Sequence, residues 1–134
     1  MASRALPIAR RHLRSVDSTN SYAKACVGEL SPAHLTVVTA DEQTAGRGRA
    51  GRVWKSGAPG SDIMASFVCQ LPSACLRHAY LLSPFMSLMA VRWMKAATSL
   101  AVGIKWPNDI IVQDSMKVGG ILCELQPHGA EMWA

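Results

Sequence analysis

The sequence predicts a mixed α+β fold, and three observations carry that reading. Short runs rich in β-branched residues recur along the chain. One long segment repeats its apolar residues at helical spacing, and two turn signals separate short apolar runs near the end. At 134 residues the chain is about one domain and can hold a single core. Its 49% hydrophobic and 17% charged residues set it apart from disordered chains.

A basic lead-in, residues 1–12, runs into a strand at about Leu13–Val16. Ser18-Thr19-Asn20 offers a helix cap, because a side-chain oxygen there can take an orphan backbone N–H. The helix then runs through Tyr22 and Ala25 to about Glu29, and Ser31-Pro32 ends it. Leu35-Thr36-Val37-Val38-Thr39 reads as a strand. Residues 43–61 hold five glycines and one proline and form a long loop, followed by a strand at Asp62–Cys69.

Between residues 79 and 100, Leu82, Phe85, Met89, Trp93 and Ala96 recur at helical spacing. Pro84 fits only a first turn, so the helix starts near Ser83, and its apolar stripe reads as core packing. Val102–Trp106, Asp109–Val112 and Val118–Leu125 read as strands joined by turns at Pro107-Asn108 and Asp114-Ser115.

The formal charge of +5 concentrates in two groups: Arg4, Arg10, Arg11 and Arg14, then Arg47, Arg49, Arg52 and Lys55. Such a balance suits nucleic acid, acidic membranes or phosphorylated small molecules. No aromatic ladder interleaves the charge, and the second group lies among glycines, which suits a compact phosphate; both features argue against nucleic acid. No membrane is expected, since no run reaches the roughly 18–20 unbroken apolar residues of a span. The longest stretch, Ala79–Ala90, is interrupted by Ser83, Pro84 and Ser87.

Cys26, Cys69, Cys75 and Cys123 lack C-x-x-C spacing and paired histidines, which argues against a protein metal site. Cys69 and Cys123 lie in apolar runs and read as buried, reduced thiols, which favours a reducing, cytoplasmic compartment. The first sixteen residues carry four arginines and no acid, so mitochondrial targeting stands as the alternative.

The most informative segment is Gly46-Arg47-Gly48-Arg49-Ala50-Gly51-Arg52-Val53-Trp54. It satisfies G-x-G-x-x-G, but a dinucleotide fold needs a helix after it, and Ser56-Gly57-Ala58-Pro59-Gly60 cannot supply one. The kinase variant fails for want of H-R-D and D-F-G segments. Glycines let backbone approach an anion closely, and arginines add bidentate charge for carboxylate or phosphate. Ordering such a loop without a ligand is costly, so it is expected to close over one. A solvated, flexible basic loop is the alternative.

Four segments occur in order: Ser18-Thr19-Asn20; Glu42-Gln43-Thr44-Ala45-Gly46-Arg47-Gly48-Arg49; Lys105-Trp106-Pro107-Asn108-Asp109; and Lys117-Val118-Gly119-Gly120-Ile121-Leu122. Together they resemble the biotin protein ligase family over about residues 13–125. The arginine-serine-triple-glycine loop of the related lipoate ligases is not found. The resemblance implies an α+β fold with a mixed, largely antiparallel sheet packed against helices, as in class II synthetase-like biotin/lipoate ligases. It assigns residues 13–125 to the N-terminal and central part of the catalytic domain and leaves 126–134 as a divergent tail. The family's further strands are not recognised there, so the resemblance implies an incomplete sheet with an open edge prone to self-association.

The implied activity is ATP-dependent activation of biotin to biotinyl-5'-AMP, with Mg2+, and transfer to a lysine of the biotin carboxyl carrier domain of a carboxylase. By the same resemblance, Ser18, Thr19, Asn20 and Gln43 hold the neutral biotin head group. Arg47 and Arg49, with Gly46 and Gly48, close on the biotin carboxylate and the adenylate phosphate. Trp54 covers the adenine, Asn108 and Asp109 serve the nucleotide and metal side, Lys117 reaches the carboxylate or α-phosphate, and Gly120 permits close backbone approach. Arg47, Arg49 and Lys117 are the catalytic set.

Blander readings stand beside these. Ser18 can be only a helix cap, Pro107-Asn108-Asp109 only a hairpin turn, and Trp106 a core residue, while Trp54 is read as exposed in its loop. The competing function is a non-catalytic biotin-binding fragment or interaction module.

Overall fold

The computed structural model describes residues 5–113 and 115–134. Arg4 and the rest of residues 1–4 in the basic lead-in, and Asp114 of the last expected turn, lie outside the described residues. In chain order the elements are β1 (Ile8–Val16), α1 (Thr19–Ala25), β2 (Leu35–Gln43), β3 (Met64–Val68), β4 (Gln70–Leu71), α2 (Leu82–Ala97), β5 (Val102–Lys105), β6 (Asp109–Val112), β7 (Met116–Gly120), β8 (Gln126–His128) and β9 (Glu131–Trp133). They divide into two units. One comprises the residues up to Ser73 together with Glu124–Ala134, the other Ala74–Cys123.

In the first unit β1 pairs in parallel with β2, and β3 runs antiparallel to β2. The strand β1 begins five residues before the expected Leu13, inside the arginine-rich lead-in. The reason is period 2: Arg10, His12 and Arg14 are exposed while Ala9, Arg11 and Leu13 are half-buried. Strand β2 turns Thr36, Val38 and Ala40 inward, and β3 turns Met64, Ser66 and Val68 inward. Helix α1 stops at Ala25, short of the expected Glu29, and passes into a 3-10 turn at Val27–Glu29.

The core of this unit joins Ala23, Val27, Val38, Val68 and Trp133, with Leu13, Tyr22 and Leu30 against it. Trp133, only 2% exposed, comes from residues 126–134, which fold as a β8–β9 hairpin reversed at Gly129 (φ 60°). Strand β9 adds to β4, and Cys69 and Ala134 exchange both backbone hydrogen bonds at 2.9 and 3.0 Å.

A 3-10 helix, Ser73–Leu81, leads into α2, and in the second unit β5, β6 and β7 form an antiparallel sheet. Val91, Val102, Ile110 and Val112 make the core, with Ala90, Met94, Ile104 and Ile121 packed on it. The expected apolar stripe on α2 is corrected. Phe85 and Trp93 are 55% and 60% exposed, whereas Ser87 and Val91 are buried. This helix is apolar on more than one face, so periodicity could not choose the buried one.

Trp106, read as core, is 75% exposed, in the turn after β5 rather than in the strand. The strand expected at Val118–Leu125 is β7, which ends at Gly120, so Cys123 is exposed and not buried; Cys69 is half-buried.

The helical segment Ser73–Ala97 is 25 residues long and apolar enough to cross a membrane by length and composition alone. Its two parts, nine residues of 3-10 helix and sixteen of α-helix, differ in pitch, and Val91 packs in the sheet core. Apart from the parallel β1–β2 pair, the pairings described are antiparallel, as the fold class anticipates, and they are distributed over three small sheets.

Candidate functional site

In the first unit the N-terminus of α1, the end of β2 and the glycine-arginine loop converge. Ser18 has extended backbone (φ −157°, ψ 136°), and its hydroxyl accepts the Ser21 N–H at 3.4 Å, so it caps α1. Thr19, 4% exposed, donates twice to Gln43 Oε1, from its backbone N–H at 2.8 Å and from its hydroxyl at 3.0 Å. Ser66 on β3 lies behind them, its Oγ 2.8 Å from Thr19 Oγ1 and hydrogen-bonded to Asn20 Oδ1. The hydroxyl proton of Thr19 is directed at Gln43. Ser66 therefore has one proton for two acceptors, in a network that fixes four neutral side chains, Thr19, Asn20, Gln43 and Ser66, against each other.

Asn20 presents its other end to Glu124: Nδ2 donates to Oε2 at 3.1 Å. One helical turn on, Lys24 Nζ donates to Glu124 Oε1 at 2.9 Å. From the loop, Arg47 grips both oxygens, Nη1 to Oε1 at 3.3 Å and Nη2 to Oε2 at 3.0 Å. Partial burial alone would raise the Glu124 carboxyl; hydrogen bonds from Lys24 and Asn20 and the charges of Arg47 and Lys24 bring it below the usual glutamate range.

The loop itself is a small hairpin. Trp54 N–H donates to Gly46 O at 2.8 Å, Arg47 bridges Val53, and Gly48 N–H donates to Arg52 O at 2.7 Å. The chain reverses at Arg49–Gly51, with Ala50 and Gly51 at φ 54° and 71°. Gly46 is buried, and a Cβ there would sit 2.8 Å from the Trp54 carbonyl oxygen, so only glycine allows this approach. A cavity of about 340 Å³ is lined by Ala45, Gly46, Arg47, Gly48, Gly51, Arg52 and Val53. Protein contacts thus give shape to a loop expected to need a ligand: backbone bonds close it, and Glu124 balances Arg47. Trp54 is half-buried rather than bare, and Arg49 is exposed at the start of the reversal.

In the second unit Lys117 on β7 and Asp109 on β6 are ion-paired at 2.8 Å. Asn108 Nδ2 donates to Ile121 O at 3.1 Å and Asn108 O accepts the Ile121 N–H at 2.9 Å, so this side chain braces the turn. Gly120 pairs with Asp109 in the ladder. Among the described residues no three His, Cys, Asp or Glu side chains cluster as a metal site.

The structure therefore gathers Ser18, Thr19, Asn20, Gln43, Gly46 and Arg47 with three residues that sequence reading missed: Lys24, Ser66 and Glu124. Each carried a faint signal. Ser66 and Glu124 are lone polar residues in apolar runs, and Lys24 follows Asn20 by four positions, on one helix face.

The sequence model of the biotin/lipoate A/B protein ligase family matches residues 12–132. The chain is 37% identical over 111 residues to the bifunctional ligase/repressor BirA of Bacillus spizizenii, covering 83% of this chain and 33% of that protein. It is 36% identical over 123 residues to the biotin–acetyl-CoA-carboxylase ligase of Paracoccus denitrificans, covering 87% and 47%. Among solved structures it resembles the biotin protein ligase of Leishmania major in complex with biotinyl-5-AMP, with a TM-score of 0.68 and 28% identity over 92% of this chain and 54% of that one. The chain thus spans 33% and 47% of the length of these two curated relatives.

Proposed function

We propose that this chain, which belongs to the biotin/lipoate A/B protein ligase family, carries the part of a biotin–protein ligase that binds and activates biotin. One observation carries the reading. Two cations and an amide, Arg47, Lys24 and Asn20, surround a carboxylate beside the neutral Thr19–Gln43–Ser66 network. Neutral donors and acceptors suit a ureido ring, which can take over hydrogen bonds that these side chains make to one another in its absence. The adjacent cations suit the valerate carboxylate.

In the proposed reaction the biotin carboxylate attacks the α-phosphate of ATP and displaces pyrophosphate, giving biotinyl-5'-AMP. A lysine amine of a carboxylase carrier domain then attacks the acyl carbon, and AMP leaves. No protein nucleophile is needed, so the chain contributes positioning and charge stabilisation. Thr19, Asn20 and Gln43 orient the head group, while Ser18 holds the helix end that presents them. Arg47 and Arg49 face the carboxylate and phosphate, with Gly46 and Gly48 admitting the backbone. Trp54 covers the adenine, Asn108 and Asp109 serve the nucleotide, Lys117 serves the phosphate, and Gly120 lets backbone approach. Magnesium would arrive with ATP, held largely by the phosphates, and Asp109, paired with Lys117 in this structure, would be its carboxylate on the nucleotide side.

The relatives' names support a carboxylase carrier domain as acceptor. Free cysteines suit the proposed cytoplasmic location. The Lys117–Asp109 pairing favours a second reading, biotin binding without turnover. Biotin-dependent ATP–pyrophosphate exchange decides between them. Exchange requiring both substrates supports the ligase, binding without exchange supports the second reading, and neither binding nor exchange overturns both.

A further inference from the structure

We propose that Glu124 is a positioning residue of this site: it holds Asn20, Lys24 and Arg47 at one point and so ties α1 to the root of the glycine-arginine loop. The proposal rests on the biotin-binding reading above.

The geometry is specific. Three donors from two separate segments meet one carboxylate at 2.9–3.3 Å, and Arg47 does so with two nitrogens. Lys24 and Arg47 carry like charges on flexible side chains that are 33% and 42% exposed. Without an acid between them they would swing apart into solvent. With Glu124 in place, two cations against one carboxylate leave a net positive charge, which suits an anionic group on a ligand.

Asn20 is fixed in the same way. Its Nδ2 faces an acceptor and its Oδ1 faces the Ser66 hydroxyl, so the amide has one favourable orientation. Arg47 lies between Gly46 and Gly48, whose backbone bonds to Trp54 and Arg52 close the loop hairpin. Holding the Arg47 guanidinium thus holds the hairpin at its base, leaving the Arg49–Gly51 tip beyond it.

The test uses the full chain, with calorimetric biotin binding and hydrogen exchange at the Gly48 and Trp54 amides. Glu124→Ala is expected to weaken biotin binding about tenfold, the effect of losing charge-assisted hydrogen bonds, and to speed exchange at both amides. Added formate, a carboxylate small enough for the vacated space, should restore both; a purely packing role would not respond to it. Lys24→Met, which removes one cation from Glu124, should weaken binding about threefold and decides the matter if Glu124→Ala does not fold.

Unchanged or tighter biotin binding in a cooperatively folded Glu124→Ala, or no effect of Lys24→Met where Glu124→Ala cannot be made, overturns the proposal. If the unmodified chain binds no biotin while the exchange effects and their rescue persist, the biotin reading fails and the anchoring role of Glu124 stands.

Discussion

Lys117 and Asp109 face each other across neighbouring strands, with Nζ 2.8 Å from Oδ1 and the lysine side chain 42% exposed. A partly exposed ion pair of this kind contributes about 0–1 kcal/mol, a small part of the stability of a folded domain. Lys117→Ala is expected to lower biotin-dependent pyrophosphate exchange by tenfold or more, roughly the loss of one charge-assisted contact. Its melting temperature should shift by only about 1–4 °C. Parallel losses in activity and in melting temperature would refute a ligand-facing role.

Gly46 and Gly48 should respond differently to the same added methyl group. A Cβ at Gly46 would meet the Trp54 carbonyl oxygen at 2.8 Å, while one at Gly48 would lie 3.5 Å from Arg52, an ordinary contact. Gly46→Ala is expected to destabilise the hairpin by about 1–3 kcal/mol and to speed exchange at the Trp54 amide; Gly48→Ala should leave that amide nearly unchanged. Similar exchange in the two variants would show that the close approach does not hold the loop.

Biotin and ATP together are expected to slow amide exchange across residues 46–55. The hairpin is closed by few bonds and carries Arg47, Arg49 and Arg52, whose mutual repulsion an anionic ligand would relieve. Unaltered exchange in a sample shown to bind biotin would rule out closure.

The Glu124 carboxyl titrates below the usual glutamate range because of its donors. A carboxyl whose folded pKa is depressed adds stability above its unfolded value, and that stability is lost as pH falls through the folded one. Thermal melting of the unmodified chain should therefore decline below the ordinary glutamate value of about 4.3, and Glu124→Gln should show a shallower decline there. Superimposable acid limbs would mean that the three donors do not select the ionised form.

Trp133→Ala should cost about 3–5 kcal/mol, as for other buried tryptophans, because the side chain is 2% exposed among Ala23, Val27, Val38 and Val68. The 134-residue chain should also self-associate, since Phe85, Leu88 and Trp93 leave apolar surface open on α2. Urea denaturation and solution mass check the two. A mild Trp133→Ala would remove the β8–β9 hairpin from the core, and a monodisperse monomer would remove the apolar surface as a liability.

What the sequence determined by itself was local or motif-borne. The strand β2 follows from a β-branched run and β3 from an alternating, largely apolar one, the α1 cap from a serine oxygen beside orphan N–H groups, and the loop from its glycines. The ordered segments around Ser18, Gln43, Arg47 and Lys117 pointed to the family, because backbone chemistry and ligand charge constrain such residues at short range. Tertiary structure decided the rest. Which face of α2 is buried depended on the sheet it met, because apolar residues lie on several sides. Residues 8–12 of the arginine-rich lead-in joined β1 through pairing with β2, and Trp133 became core through β9 pairing with β4. Glu124 entered the site for the same reason: Asn20 and Lys24 lie about a hundred residues before it in sequence and reach it only by folding. A charge far along the chain carries no local signal, and only the folded chain sets the distances that give it partners.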